Sequence, residues 1–150
     1  MSVLFVDTSA LAKRYLGEAG APWIRTLLAP SAGNVVVISA LTQVEMASLF
    51  ARRVREGSLA AADAAALENT FLHHAAEEYL IIAVDGGVLA DARALVRAHP
   101  LRALDAVQVA GARAACAVLG ESVTVVSGDH VLLASAVAEG LRGEDPASHA

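Results

Sequence analysis

Apolar residues along the chain gather into short runs that are separated by longer amphipathic stretches. Four runs are almost entirely apolar, which is typical of strands covered on both faces of a sheet. These predicted strands are Val3–Val6, Val35–Ile38, Leu80–Val84 and Val123–Val126. The remaining stretches repeat apolar residues at helical spacing. The predicted helices are Ser9–Leu16, Ala21–Leu28, Thr42–Arg55, Leu59–Tyr79, Val88–His99, Leu104–Leu119 and Val131–Glu139.

The alternation of strands with helices indicates an α/β protein whose parallel strands are joined by right-handed crossovers. We therefore predict a three-layer α/β/α sandwich around a central parallel sheet of four to five strands. No repeat or low-complexity linker divides the chain, so residues 1–150 are expected to form a single domain. The tail, Gly140–Ala150, either adds a short edge strand or frays.

The amino-acid composition excludes several classes of protein. Hydrophobic residues make up 56% of the 150 residues, which is ample for a core and too apolar for a disordered chain. No apolar run is long enough for a membrane span, and Met1–Asp7 lacks a basic leader, so we expect a soluble cytoplasmic protein. Cys116 is the only cysteine, which excludes an internal disulfide and a multi-cysteine zinc site. The net charge of −5 argues against a broad nucleic-acid-binding face, but not against an enzyme that meets phosphate through a metal ion.

Four carboxylates occupy positions that suggest a site. Asp7 and Asp129 follow the first and fourth predicted strands, where open parallel sheets bind ligands. Glu45 and Asp105 fall on or beside the apolar stripes of predicted helices, where a lone charge is costly to bury. Each also has a structural explanation, because the aspartates are common N-caps and Thr42-x-x-Glu45 fits a capping box.

Capping does not explain why two helical carboxylates face the interior while two more stand at strand ends. A hard divalent cation explains the set, because Mg²⁺ and Mn²⁺ prefer oxygen ligands and relieve the repulsion between clustered carboxylates. Such an ion can polarise a phosphoryl oxygen and supply hydroxide at neutral pH. The set therefore predicts hydrolysis of a phosphodiester.

Four segments resemble, in order and spacing, the acidic motifs of PIN-domain ribonucleases. They are Val3–Ser9, Thr42–Glu45, Leu101–Ala110 and Val125–Asp129. In addition, Tyr15–Glu18 is similar to the segment after the first motif in VapC-type toxins. The resemblance covers almost the whole chain and implies the strand order 3-2-1-4-5, with the first and fourth strands as neighbours. The closing strand of the family is represented only by Gly140–Gly143, so its pairing stays open.

The resemblance implies a metal-dependent endoribonuclease that is the toxin of a VapBC toxin–antitoxin pair. In that case Asp7 and Asp105 would bind Mg²⁺ or Mn²⁺ directly. Glu45 and Asp129 would bind the ion directly or through water, and would orient the attacking water. The implied partners are an RNA substrate such as transfer RNA, a VapB-like antitoxin, and a second copy of the chain in a homodimer.

Candidate substrate contacts surround this acidic set. The resemblance places two hydroxyl residues, Ser9 and Ser127, against the acidic cluster or a phosphate. Arg52 follows Glu45 by seven residues and so occupies nearly the same helical face. An equally good interpretation is a solvated basic helix end that the helix dipole favours. The candidate RNA contacts are Lys13, Arg14, Arg52, Arg53 and Arg55.

Other functions remain as alternatives. The chain could be a PIN-fold RNA-processing nuclease outside a toxin system, or a non-catalytic module that binds partners through the same pocket. An aspartyl-phosphate phosphatase would need a second aspartate where Ser9 stands. A receiver domain would use Asp85 with a lysine near the pocket, and the only lysine is Lys13, in the first predicted helix. The last two alternatives are therefore disfavoured.

Overall fold

Five parallel strands form the central layer of the protein. In the computed structural model, which describes residues 1–150, the sheet order is β3-β2-β1-β4-β5 and every neighbouring pair is parallel. The predicted strand order is thus confirmed. Because β1 and β4 pair as far as Val6 and Val126, the residues after them emerge side by side. The strands are β1 (Val3–Val6), β2 (Val35–Ser39), β3 (Tyr79–Ile82), β4 (Val123–Val126) and β5 (Arg142–Glu144).

Seven α-helices cover the two faces of the sheet. All seven predicted helices form, with ends that differ from the predicted ones by no more than two residues. The main error lies at Tyr79, which was predicted to end a helix and instead begins β3; its buried hydroxyl pairs with that of Tyr15 at 2.8 Å. The helices are α1 (Thr8–Tyr15), α2 (Ala21–Leu28), α3 (Leu41–Arg55), α4 (Ala61–Glu77), α5 (Gly86–Ala98), α6 (Ala103–Leu119) and α7 (His130–Ala138).

The core has two halves, one on each face of the sheet. Leu4 and Val6 of β1 point into the half under α1 to α4, and Phe5 points into the half under α5 to α7. Burial on both faces explains why β1 is apolar throughout. A Cβ at Gly111 of α6 would lie 3.0 Å from Phe5 Cζ and 3.3 Å from Phe5 Cε2, so glycine lets this helix lie directly against the sheet.

The C-terminal tail is tied to the body of the protein. β5 pairs with β4 in register Val125 to Gly143, so the edge-strand alternative is confirmed and the frayed one is wrong. A short 3₁₀ helix, Pro146–His149, follows, and the His149 ring stacks on the Trp23 ring of α2 with centroids 4.0 Å apart. None of the helices combines the length and apolar character needed to cross a bilayer.

Candidate active site

A cleft of about 1150 Å³ opens where the strands of the sheet end, and all four predicted carboxylates line it. Asp7 follows β1, Glu45 lies on α3, Asp105 lies on α6 and Asp129 precedes α7. The fold thus brings together four acidic side chains that are far apart in the chain. Asp85, the receiver-type candidate, lies outside this cleft and caps α5 by accepting a hydrogen bond from the Val88 backbone N–H at 2.9 Å.

Asp7 is buried in the floor of the cleft and surrounded by donors. Its Oδ1 accepts from Ser9 Oγ at 2.7 Å and from the Ala10 backbone N–H at 3.1 Å, so it also caps α1. Its Oδ2 accepts from Ser127 Oγ at 2.8 Å. Burial nevertheless raises the pKa of Asp7 to about 6, against the lowering effect of these hydrogen bonds, and the negative charge of Glu45 raises it further.

Glu45 is held by one of its two oxygens. Thr8 Oγ1 and Gln108 Nε2 donate to Glu45 Oε1 at 2.8 and 2.7 Å. Gln108 Nε2 also contacts Thr42 Oγ1 at 3.1 Å, while Gln108 Oε1 is buried without a hydrogen-bond partner. The predicted capping box is wrong, because α3 begins after Ala40 with no side-chain cap. The side chains of Thr42 and Glu45 serve this buried network instead.

Asp105 and Asp129 form a second acidic pair at the mouth of the cleft. Asp129 Oδ1 accepts from the backbone N–H groups of Val131 and Leu132, so Asp129 caps α7, whereas Asp105 caps nothing because α6 begins at residue 103. Burial and the charge of Asp129 raise the pKa of Asp105, and the nearby Arg102 lowers it. Arg102 Nε lies 3.4 Å from Asp105 Oδ2 and Arg102 Nη2 lies 4.0 Å from Asp129 Oδ2.

The four carboxylates share a cleft but do not form a ready-made metal cluster. No three His, Cys, Asp or Glu side chains are positioned to hold one ion. They stand instead as two mutually repelling pairs, Asp7 with Glu45 and Asp105 with Asp129. All donors in this set are carboxylate oxygens, which are partly buried and repel one another. Hard divalent cations prefer such oxygen ligands. The donor chemistry therefore fits Mg²⁺ or Mn²⁺, although the side-chain positions do not show a common centre.

Three of the five basic residues expected to contact RNA line the cleft. Arg14 does not, because its guanidinium turns inward and donates to Glu78 at 3.1 Å and to the Tyr79 hydroxyl at 2.5 Å. Arg55 also lies outside the lining. The three that line the cleft are Lys13, Arg52 and Arg53.

Sequence reasoning missed several residues of the cleft. Gln108 stands three residues after Asp105 on the same helical face, and that spacing is a signal that could have found it. Thr8 and Arg102 fall within the segments Val3–Ser9 and Leu101–Ala110, but only the packed fold shows that their side chains reach Glu45 and Asp105. Glu18 was noted only as part of a segment similar to VapC-type toxins, and its side chain lines the cleft.

Several solved structures share the fold of this chain. VapBC2 from Rickettsia felis bound to a promoter DNA fragment has a chain that superposes with a TM-score of 0.65 at 13% identity, covering 95% of this chain and 98% of that one. PAE2754 from Pyrobaculum aerophilum superposes with a TM-score of 0.64 at 18% sequence identity, and the match covers 95% of this chain and 83% of that one. A chain of a toxin–antitoxin complex from Klebsiella pneumoniae superposes with a TM-score of 0.56 at 18% sequence identity, and the match covers 85% of this chain and 87% of that one.

These structures share the fold of the chain at identities too low to carry more than the fold. A comparison with curated protein sequences finds no match. The family model of the PIN domain matches residues 4–140, which span strands β1 to β4 and include all four carboxylates of the cleft. The protein is therefore a member of the PIN-domain family.

Proposed function

We propose that the protein is a metal-dependent endoribonuclease that hydrolyses phosphodiester bonds of RNA. PIN domains are in general nucleases. The observation that carries the proposal is the meeting of four carboxylates in one cleft. Burial raises the pKa of Asp7 to about 6, and burial together with the charge of Asp129 raises the pKa of Asp105. Such a set is unfavourable in the folded protein unless a cation offsets its charge.

The roles proposed for these side chains are those that the family resemblance implies. Asp7 and Asp105 are assigned as direct ligands, and Glu45 and Asp129 as ligands that act directly or through water. When bound, Mg²⁺ or Mn²⁺ would polarise a phosphoryl oxygen and lower the pKa of a water molecule. Arg52, exposed at the cleft, is assigned to a substrate phosphate, since a guanidinium matches phosphate oxygens in a bidentate way.

Glu45 is the group best placed to orient the attacking water. Thr8 and Gln108 both donate to its Oε1, which fixes the carboxylate and leaves Oε2 to accept a hydrogen bond from water. Ser9 and Ser127 fix Asp7 in the same way. The hydrogen bonds from Ser9 and Ser127 also favour the ionised form of Asp7, which is the form that binds a cation.

Replacing Gln108 by leucine is expected to slow RNA cleavage roughly ten- to a hundredfold, since a hydrogen bond to a charged group contributes about 1.5–3 kcal/mol. The loss is expected because Glu45 would lose one of the two donors that hold its Oε1. Gln43→Leu on α3, outside the cleft, is the matched control. Equal cleavage rates for Q108L and Q43L would show that Gln108 does not act in cleavage.

The biological setting proposed is a toxin–antitoxin pair in the cytoplasm. The solved structure from Klebsiella pneumoniae is described as a toxin–antitoxin complex. VapBC2 from Rickettsia felis and VapBC-1 from nontypeable Haemophilus influenzae share the fold over nearly the full length of this chain. We propose accordingly that the chain forms a homodimer, cleaves RNA such as transfer RNA, and is held inactive by a VapB-like antitoxin. The acidic cleft, which a positively charged side chain of that partner would complement, is the proposed point of inhibition.

The central test is cleavage of purified RNA in Mn²⁺ or Mg²⁺. The wild-type protein should cleave, and Asp105→Asn or EDTA should abolish cleavage, because each removes part of the proposed metal centre. Asp63→Asn, which removes an acidic group from the first turn of α4 outside the cleft, should cleave like the wild type. Equal cleavage by D105N and D63N would refute the proposal. Metal-dependent thermal stabilisation without cleavage would favour the non-catalytic binding module.

A further inference from the structure

Two cations that border the cleft share a single carboxylate. Lys13 lies on α1, Arg53 lies in the last turn of α3, and Glu18 lies in the loop between α1 and α2. Glu18 Oε2 is 3.4 Å from Lys13 Nζ, and Glu18 Oε1 is 2.6 Å from Arg53 Nη2. All three residues line the cleft. Each carboxylate oxygen thus neutralises one cation, in the way that the two free oxygens of a phosphodiester would.

The two cations are held more firmly than the other positive charges of the cleft. The side chains of Lys13 and Arg53 are 14% and 33% exposed, whereas those of Arg52 and Arg102 are 57% and 86% exposed. Little side-chain freedom is left for Lys13 and Arg53 to lose when they take up an anion. They form a preorganised anion site in which Glu18 occupies the anion position.

Glu18 can leave this position without unfolding its loop. The loop backbone is closed by hydrogen bonds from Glu18 N to Leu16 O at 2.8 Å and from Ala21 N to Glu18 O at 3.0 Å. The Glu18 side chain is 35% exposed, so rotation about its own bonds can carry the carboxylate into solvent. An ion pair whose carboxylate is this accessible to water contributes about 0–1 kcal/mol, which is small enough for a phosphate to displace Glu18.

We propose that Lys13 and Arg53 form a phosphate subsite for the RNA backbone, and that Glu18 blocks this subsite until a substrate phosphate displaces it. The inference rests on the proposed function, because the same cleft holds the carboxylates assigned to catalysis. Glu18 thereby sets the affinity for RNA and keeps the cation pair from binding other anions. In a protein of net charge −5, few other fixed cations are available to hold a polyanion.

The test is the binding of a fluorescein-labelled single-stranded RNA, followed by fluorescence anisotropy in EDTA so that metal-dependent cleavage cannot interfere. Glu18→Gln should bind roughly tenfold more tightly than the wild type, since binding no longer breaks two ion pairs. Glu56→Gln is the matched control: it removes the same charge near the same helix end, where Glu56 pairs only loosely with Arg52 at 3.9 Å. It should change the affinity less than twofold, in line with the small contribution of an exposed pair.

Adding Lys13→Gln or Arg53→Gln to E18Q should return the affinity to the wild-type value or below. Thermal melts check that each variant folds, and Glu18→Ala supplies a second removal of the charge. The proposal is overturned if E18Q and E18A bind no more tightly than E56Q, or if the gain survives the loss of Lys13 and Arg53. A gain for a polyglutamate peptide without one for RNA would also overturn it, in favour of an acidic protein partner. Because the assay requires no cleavage, its outcome is independent of whether the protein proves to be a nuclease.

Discussion

Asparagine in place of Asp7 is expected to abolish RNA cleavage and, in EDTA at neutral pH, to make the protein more stable. The loss of a proposed metal ligand should lower the rate roughly a thousandfold or more. The gain in stability has a separate cause. The pKa of Asp7 is about 6 in the folded protein against 3.8 ordinarily, so keeping it ionised in the fold costs about 3 kcal/mol.

The pH dependence of this effect follows from the sign of the shift. Between pH 3.8 and about 6 the folded protein binds more protons at Asp7 than the unfolded chain does, so wild-type stability falls as the pH rises through this window. The advantage of D7N should therefore be absent below about pH 4 and complete above pH 6. Three kcal/mol corresponds to roughly 6–12 °C in Tm for a protein of this size, and it is an upper value because the amide must find new hydrogen bonds at Ser127.

Thermal melts in EDTA at pH 4, 5.5 and 7.5, with cleavage measured in parallel, check both parts of this prediction. Asp63→Asn is the control for removing a negative charge from the protein surface. If D7N melted below the wild type at pH 7.5, the ionised Asp7 carboxylate would be stabilising and our account of the buried charge would be wrong. Added Mg²⁺ should raise the Tm of the wild type and leave that of D7N unchanged, because only the wild type keeps the ligand.

Valine in place of Gly111 is expected to destabilise the protein by about 3 kcal/mol or more, despite the better helix propensity of valine. Even the first added carbon would lie 3.0 Å from Phe5 Cζ and 3.8 Å from Ser39 Cβ. Phe5 is fully buried between the sheet and α6, so its ring has little room to move. Since α6 also carries Asp105 and Gln108, any outward shift of this helix should lower activity as well.

Urea denaturation measures this loss of stability. Gly86→Val is the matched control, because a Cβ at Gly86, the first residue of α5, would meet no other atom within 4 Å. G86V should change the free energy of unfolding by less than about 0.5 kcal/mol, as surface substitutions usually do. Similar losses in G111V and G86V would mean that the close approach of α6 to the sheet is not what requires glycine at position 111.

Much of the fold could be predicted because the spacing of apolar residues along the chain reflects which side chains are buried. Strands covered on both faces must be apolar throughout, and helices covered on one face show a stripe, so the elements could be recognised from the chain alone. Tyr79 is a residue for which the apolar pattern predicted the wrong element. It follows a helical pattern without a break, and only its backbone pairing with Val36 shows that it belongs to β3. In that position its hydroxyl contacts Tyr15 and Arg14. Such contacts join residues more than sixty positions apart, which no local pattern records.

The candidate site was predictable in its residues but less so in its geometry. Asp7 and Asp129 could be assigned because strand ends are where parallel sheets place ligands, and both turned out to cap helices as well. Arg14 shows the opposite case. Its position next to Lys13 suggested a substrate contact, yet one step along a helix turns a side chain by about 100°, and Arg14 points to Glu78 instead.

By itself the amino-acid sequence determined the layered α/β architecture, the order of its elements and the identity of the four acidic residues, since these depend on hydrophobic periodicity and on residue type. Only the tertiary structure decided how those residues meet. It pairs Asp7 with Glu45 and Asp105 with Asp129, recruits Gln108 and Thr8 to hold Glu45, and sets Glu18 between Lys13 and Arg53. Charge interactions act over a few ångströms in space and are indifferent to separation along the chain, so they become visible only when the helices have packed on the sheet.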